Sequence, residues 1–184
     1  MNYYIFKGRF QPFHYGHLQV VEKTLEMLSS DDIFIIATMC SFDVEIEPID
    51  KHFAEMAAEH RQPERNPWGS VKALEAITEV SKYFIGRNNT SILATFLPYP
   101  NLAWPIIKNW FPPNRIWIIP DAGEEFDDAK AQFYSNQGEK VIRIKDDSEI
   151  SGRELRTYYY SHDRRNFCKG VPDFLHDIYW NNEI

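Results

Sequence analysis

Apolar residues in this chain fall into two kinds of segment. Short continuous runs occur at Asn2–Phe6 (NYYIF), Ile33–Thr38 (IFIIAT), Ser91–Phe96, Arg115–Ile119 (RIWII) and Lys140–Ile144 (KVIRI). Runs of this length, rich in aromatic and β-branched residues, predict strands, and unbroken apolarity predicts burial on both faces. Between them apolar residues recur every three or four positions, the period of a helix with one buried face. His17–Leu28 shows this with Leu18, Val21, Leu25 and Leu28. Val71–Val80 follows Ser70, a natural N-cap. Leu102–Trp110 reads as a helix with Pro98, Pro100, Pro112 and Pro113 outside it, and Glu124–Ser135 reads as one stopped by Gly138. Ser151–Tyr160 and Pro172–Trp180 read as closing helices. Residues 41–66 are acidic and irregular, with room for a short helix around Phe53–His60. Strands alternating with helices predict a doubly wound parallel α/β sheet, here of five strands, in a single domain spanning 1–184. Such sheets bind ligands beyond the carboxyl ends of their strands.

Composition narrows the picture. Apolar residues at 43% and aromatics at 15% exclude a disordered chain. Charges or prolines interrupt every apolar stretch well before the roughly 20 residues of a membrane span. The start, MNYYIFKGRF, lacks the basic-then-apolar layout of a secretory signal. Two cysteines, Cys40 and Cys168, form neither a disulfide framework nor a metal-type spacing, so a cytoplasmic protein with reduced thiols is expected. A net charge of -7 argues against a general nucleic-acid surface. The charge is uneven, however. Asp43 to Glu64 holds seven acids against two bases, whereas Lys140 to Lys169 holds eight bases against five acids, which leaves room for a local anion site. Glycine is scarce at 8 residues, so each one more often marks a position where the backbone needs it.

Two segments carry candidate chemistry. Directly after the first strand comes GRFQPFHYGHL, Gly8–Leu18, a βα turn that feeds a helix N-terminus. Unpaired N–H groups and the helix dipole make such a turn an anion site. His14 and His17, three apart, face the same way on the first helical turn and can donate to a phosphate that gains charge during transfer. The bland alternative is one capping and one surface histidine. Near the end, Ser151-Gly152-Arg153-Glu154-Leu155-Arg156 combines an N-cap serine, a capping-box glutamate and two arginines on one helical face. A capped surface helix with solvated arginines is the alternative there.

The first segment resembles the signature of the HxGH nucleotidyltransferases, and in detail that of the archaeal-type nicotinamide-mononucleotide adenylyltransferases. The resemblance implies a Rossmann-like domain that joins ATP to nicotinamide mononucleotide, or its acid form, giving NAD and pyrophosphate. It implies that His14 and His17 contact the ATP phosphates and stabilise the transition state. Gly16 then lets adenine and ribose sit against the helix, while Gly8, Arg9, Phe10 and Gln11 form the loop under the phosphates. The second segment resembles the family's Ile-Ser-x-Thr-x-x-Arg element: Ile150, Ser151, Gly152 and Arg156 match, while Arg153 replaces a threonine. Arg156 and Ser151 are thereby expected to hold the β- and γ-phosphates, with Arg153 either joining them or pointing outward.

On the acceptor side, Asn66-Pro67-Trp68 resembles the family's Asn-Pro-Phe, and Pro98 to Trp104 resembles the substrate segment whose tryptophan stacks on nicotinamide. Trp104 is the stacking candidate, with core packing the other reading. Asp121 falls in the region resembling the nucleotide-facing loop. After Thr38-Met39-Cys40-Ser41 this chain carries about two dozen residues before Asn66, longer than the family's short turn, and loops of that length often serve as lids or specificity elements. The implied reaction is an in-line attack of an ionised phosphate on the α-phosphorus of ATP, needing neither general base nor protein nucleophile, with Mg²⁺ arriving on ATP. Self-association is a further implication. Rival readings are another acceptor (phosphopantetheine, flavin mononucleotide or an alcohol phosphate) or a nucleotide-binding sensor without turnover.

Overall fold

The computed structural model describes residues 1–40, 48–59, 62–87 and 89–180. The five strands are β1 (Tyr3–Gly8), β2 (Ile33–Cys40), β3 (Ser91–Pro98), β4 (Arg115–Asp121) and β5 (Lys140–Lys145). They form one all-parallel sheet in the order β3-β2-β1-β4-β5, with Tyr3 opposite Ile33 on one side and Arg115 on the other. The chain moves outward from β1 to β3, then crosses back to place β4 on the other side of β1. A crevice opens at that reversal, beyond the carboxyl ends of β1 and β4.

Every strand outruns its apolar run at the carboxyl end. β1 continues through Lys7-Gly8, β2 through Met39-Cys40 and β4 through Pro120-Asp121. These residues break the apolar pattern because they line or adjoin the crevice rather than the core.

Side chains alternate across the sheet and build two cores. Phe6, Phe34, Ile36, Ile92 and Ile118 pack on α1 (Tyr15–Leu25), α3 (Gly69–Phe84) and the C-terminal helices. Ile5, Ile35, Ala37, Leu97, Trp117 and Ile119 pack on α2 (Lys51–Glu59), α4 (Pro100–Trp110) and α5 (Glu125–Asn136). The stretch 41–66 is therefore more than a loop. Its described part carries α2 and a 3₁₀ turn, Pro63–Arg65, while residues 41–47 and 60–61 lie outside the described residues. Both α2 and α3 lie in the crossover from β2 to β3, yet they cover opposite faces. The Phe53 ring lies 5.0 Å from Phe133 and 5.8 Å from Phe126 on α5.

Several boundaries differ from the sequence expectation. Trp68, not Ser70, precedes α3, because Gly69 turns the chain at φ 69° and the Ser70 hydroxyl donates instead to the Met39 carbonyl at 3.2 Å. α4 includes Pro100 in its first turn, where no N–H is needed, and carries Pro105 inside it. The C-terminal part holds α6 (Gly152–Tyr160) and then α7 (Arg164–Gly170), which the periodicity did not predict. Asp163 caps α7 by accepting from the Asn166 N–H. Pro172–Trp180 breaks into a 3₁₀ turn, Asp173–Leu175, and the short α8 (His176–Tyr179). Among the described residues no helix is long and apolar enough to cross a membrane.

Candidate functional site

A cavity of about 420 Å³ fills the crevice. One side is formed by the N-termini of α1 and α6, the other by α2 and α5. His14 is the N-cap of α1, and its Nδ1 accepts the Gly16 N–H at 3.2 Å. His17 Nδ1 accepts the His14 N–H at 3.3 Å. The pair therefore forms a reciprocal capping box made of imidazoles, with ring centroids 3.8 Å apart. An Nδ1 that accepts cannot carry the proton, so this hydrogen-bond assignment places it on Nε2 of both rings and leaves two Nε2–H donors. Both rings line the cavity.

Burial, then the charge of Arg156, pushes His14 down to about 3. Burial, then His14, holds His17 well below its ordinary value. Both are thus neutral donors across the physiological range. The linkage has a definite sign. The unfolded chain binds a proton at His14 near 6.5, whereas the fold resists until about 3, so stability is full above 6.5 and falls as pH falls through this window. The urea midpoint is expected to drop between pH 7.5 and 4.5, above the range in which Asp32 and Asp147 titrate, and His14→Gln is expected to flatten that slope.

The first loop is built to aim these rings. Phe10 sits at φ 51° and is fully buried, its ring edge-on to His17 at 5.1 Å. Gly8 makes room for it, since a Cβ there would lie 2.7 Å from the Phe10 ring. Gly16 is equally constrained: a Cβ would lie 2.9 Å from the Asp146 carboxylate and 3.0 Å from the His14 ring. Gln11 is a strut, its amide donating to the Gly69 carbonyl at 2.8 Å and its Oε1 accepting from the Trp68 N–H at 3.2 Å.

The second segment meets the first directly. Arg156, buried on α6, donates from Nη1 to the Gln11 carbonyl at 2.7 Å. A Cβ on Gly152 would lie 3.7 Å from the His14 ring, so the two helix starts are in contact range. Ser151 caps α6 by accepting the Glu154 N–H at 3.2 Å. Only that half of the predicted capping box forms, because the Glu154 carboxylate accepts instead from the Tyr158 hydroxyl at 2.7 Å. Arg9 and Arg153 also line the cavity, and burial followed by Arg156 lowers Arg9 to about 10. The eleven residues assigned by sequence to catalysis and ATP thus all border one cavity: Gly8, Arg9, Phe10, Gln11, His14, His17, Ser151, Gly152, Arg153 and Arg156 line it, and Gly16 lies beneath His14.

The four acceptor candidates do not line it. Trp104 is 4% exposed in the second core, packed on Trp117, Phe133 and Tyr134, because α4 turns that face onto the sheet. Trp104→Ala is accordingly expected to cost about 3–5 kcal/mol of stability and to leave the acceptor KM within about twofold, read by melting and steady-state kinetics. Trp68 is buried in the first core, its indole N–H donating to the Tyr179 carbonyl at 2.8 Å, so it braces Gln11 rather than a ligand. The Asn66 amide donates to the Gln62 carbonyl at 2.8 Å and closes the 3₁₀ turn. Asp121 pairs with Arg143 at 2.6 Å outside the cavity.

The wall facing the phosphate motifs is made by Lys7, Met39, Phe53, Tyr99, Phe126 and Lys130, none of them singled out in the sequence. Arg65, at the end of the inserted stretch, joins Arg9 on the basic side, its carbonyl accepting from Arg9 at 3.2 Å. One signal was legible: Lys7 is a charge at the end of a strand that otherwise reads as buried. Phe53 and Phe126 carried none, since they meet only through the packing of α2 on α5.

A parallel sheet with two helix N-termini, two neutral imidazoles and several arginines around one cavity defines an α/β domain whose site suits an anionic ligand. Residues 5–157 match the sequence profile of the cytidylyltransferase-like family, and the chain belongs to that family. It is a nucleotidyltransferase by that membership. No curated protein matches the chain. Among solved structures, it is similar to a candidate nicotinate-nucleotide adenylyltransferase from Vibrio parahaemolyticus, at 12% identity and a TM-score of 0.52, over 98% of this chain and 100% of the other. A protein of unknown function from Archaeoglobus fulgidus aligns at 11% identity and a TM-score of 0.41, over 82% of this chain and 94% of the other. Thermotoga maritima TmcAL, bound with alpha-thio ATP, aligns at 13% identity and 0.38, over 97% of this chain and 55% of the other. At 12% identity the likeness to the Vibrio structure speaks to the fold alone.

Proposed function

We propose that the chain is an adenylyltransferase that transfers AMP from ATP to nicotinamide mononucleotide or its acid form. One observation carries this reading: His14 and His17 are locked as neutral Nε2–H donors beside Arg156, which itself bridges the two phosphate segments. In this reading an acceptor phosphate oxygen attacks the α-phosphorus in line. The new P–O bond forms as the bond to the β-phosphate breaks, and pyrophosphate leaves with the electron pair. The attacking phosphate is already ionised, so no proton moves. His14 and His17 donate to oxygens that gain charge, while Arg156, Arg153 and Arg9 neutralise the triphosphate beside the α1 and α6 N-termini. Neutral imidazoles suit this task because they donate without having to give up a proton.

Among the described residues no three His, Cys, Asp or Glu side chains converge on a cation site. Mg²⁺ would be carried by the triphosphate and water, and the Asp146 carboxylate, which lines the cavity, would hold its waters. When bound, the ion would supply charge neutralisation.

The acceptor wall, with its added helix α2 and its lysines, is the observation that keeps a different phosphate acceptor as a second reading. A pyrophosphate-release panel separates the two. ATP is offered with nicotinamide mononucleotide, nicotinate mononucleotide, phosphopantetheine, flavin mononucleotide and an alcohol phosphate. Release with a pyridine mononucleotide alone supports the proposal. Release with another acceptor alone replaces it, and ATP binding without release favours a sensor.

A further inference from the structure

Lys7 is a buried cation without an anionic partner. It sits on β1 between Phe6 and Gly8, 7% exposed, with Ile5 on its side of the sheet facing the α4 and α5 core. The groups nearest its ammonium are the Met39 sulfur at 3.8 Å and the Tyr134 ring at 5.4 Å. Among the described residues no oxygen accepts from it. An ammonium kept out of water without a partner is costly, and an apolar residue would complete the strand more cheaply. Asp127 on α5, the carboxylate whose charge acts on Lys7, is already taken by Lys130 at 2.5 Å. Lys7 lines the same cavity as Phe53, Tyr99 and Phe126. The Phe53 and Phe126 rings lie within 13° of parallel, 5.8 Å apart.

We infer that Lys7 selects the acceptor by pairing with a carboxylate carried on a flat ring, so that the acid form of the pyridine mononucleotide is preferred over the amide form. The choice of nucleotide rests on the adenylyl-transfer reading above; the pairing itself is a statement about binding. In that reading the acceptor's own phosphate meets the α-phosphorus on the side opposite the leaving pyrophosphate, so the anion at Lys7 is a second one. Flat apolar rings beside it suit an aromatic acid better than a second hydrated phosphate. A carboxylate gains a charge-assisted bond in a site closed to water, whereas an amide offers only a dipole. A preference of roughly tenfold to a hundredfold is expected.

The charged and titratable groups facing Lys7 come from several elements. Lys130 and Asp127 face it from α5, and His17, Arg9, Glu124 and Asp146 border the same cavity. Burial, then Lys130, lowers Lys7 to about 7, with Asp127 opposing. The free protein therefore loses this proton as pH rises through 7, and acid-form binding should weaken by about tenfold per pH unit above it.

The test is calorimetric titration of the ATP-free protein with nicotinate mononucleotide and with nicotinamide mononucleotide, each at pH 6.5 and 8.5. The parent is expected to bind the acid form at least about tenfold tighter at pH 6.5, with the ratio shrinking at pH 8.5. In Lys7→Met the ratio should fall to near one and the melting temperature should rise by roughly 5 °C, which shows that the variant folds. A parent ratio of one or less, no binding of either nucleotide, or a preference that survives in Lys7→Met would overturn the inference. Acid-selective binding with no pyrophosphate release from any acceptor would sink the transfer reading while leaving the Lys7 pairing standing.

Discussion

Replacing His17 by alanine is expected to lower kcat for pyrophosphate release by roughly 10²–10³-fold while the protein still folds. The Nε2–H of His17 is one of two donors aimed into the cavity, and alanine removes it outright. The loss should fall on kcat more than on the KM for ATP, because the donor acts on charge that develops in the transition state. Folding should survive. His17 caps only one N–H of α1, that of His14, while its ring packs on the buried Phe6, Phe10 and Phe13, so the melting temperature should fall by a few degrees without loss of the fold. Glutamine restores an amide N–H near the Nε2 position, so His17→Gln should recover part of the rate where alanine does not. His14→Ala is a less clean probe, since His14 also supplies the N-cap that holds the Gly16 N–H.

Arg156→Ala is expected to lower kcat/KM for ATP by roughly 10²–10⁴-fold, the second largest effect. Arg156 does two things. Its guanidinium lines the cavity, and Nη1 ties the α6 start to the Gln11 carbonyl at 2.7 Å. Alanine removes the cation and leaves that carbonyl without its donor, a cost of about 1–3 kcal/mol. Arg156→Lys keeps the charge but not the planar fork, so it should restore the fold better than the rate. An independent readout comes from His14. The Arg156 charge helps hold that imidazole at about 3, so its titration should move upward in Arg156→Ala, followed by NMR of the ring protons.

The grouping of the two motifs around one cavity was legible from sequence because they lie in two short local segments. Gly8, His14, Gly16 and His17 follow one strand, and Ser151 through Arg156 start one helix, so spacing alone places their side chains. The sheet was legible for the same reason, since parallel strands buried on both faces write themselves as unbroken apolar runs. The rest of the cavity was not. Its wall is assembled from residues on β1, β2, α2 and α5 that are far apart in the chain. Phe53 meets Phe126 only because α2 crosses to the face opposite α3, and no periodicity within 41–66 encodes that choice. Trp104 and Trp68 show the converse error. Tryptophan near a substrate-like segment has the right chemistry for stacking, but α4 and α3 turn both indoles into the cores, where area burial decides. Lys7 was visible as a lone charge at the end of an apolar strand; what the fold adds is that Asp127, the carboxylate whose charge acts on it, is already paired.

The central claim is transfer of an adenylyl group between two nucleotides bound in one cavity, and it can be followed at the phosphorus atom itself. The protein is incubated with ATP labelled at the α-phosphate, Mg²⁺ and nicotinate mononucleotide, and the products are separated. The account predicts that the label moves into a dinucleotide while unlabelled pyrophosphate appears in equal amount, and that His17→Ala slows both together. Label that remains in ATP, or that appears in free AMP with no dinucleotide, would contradict it.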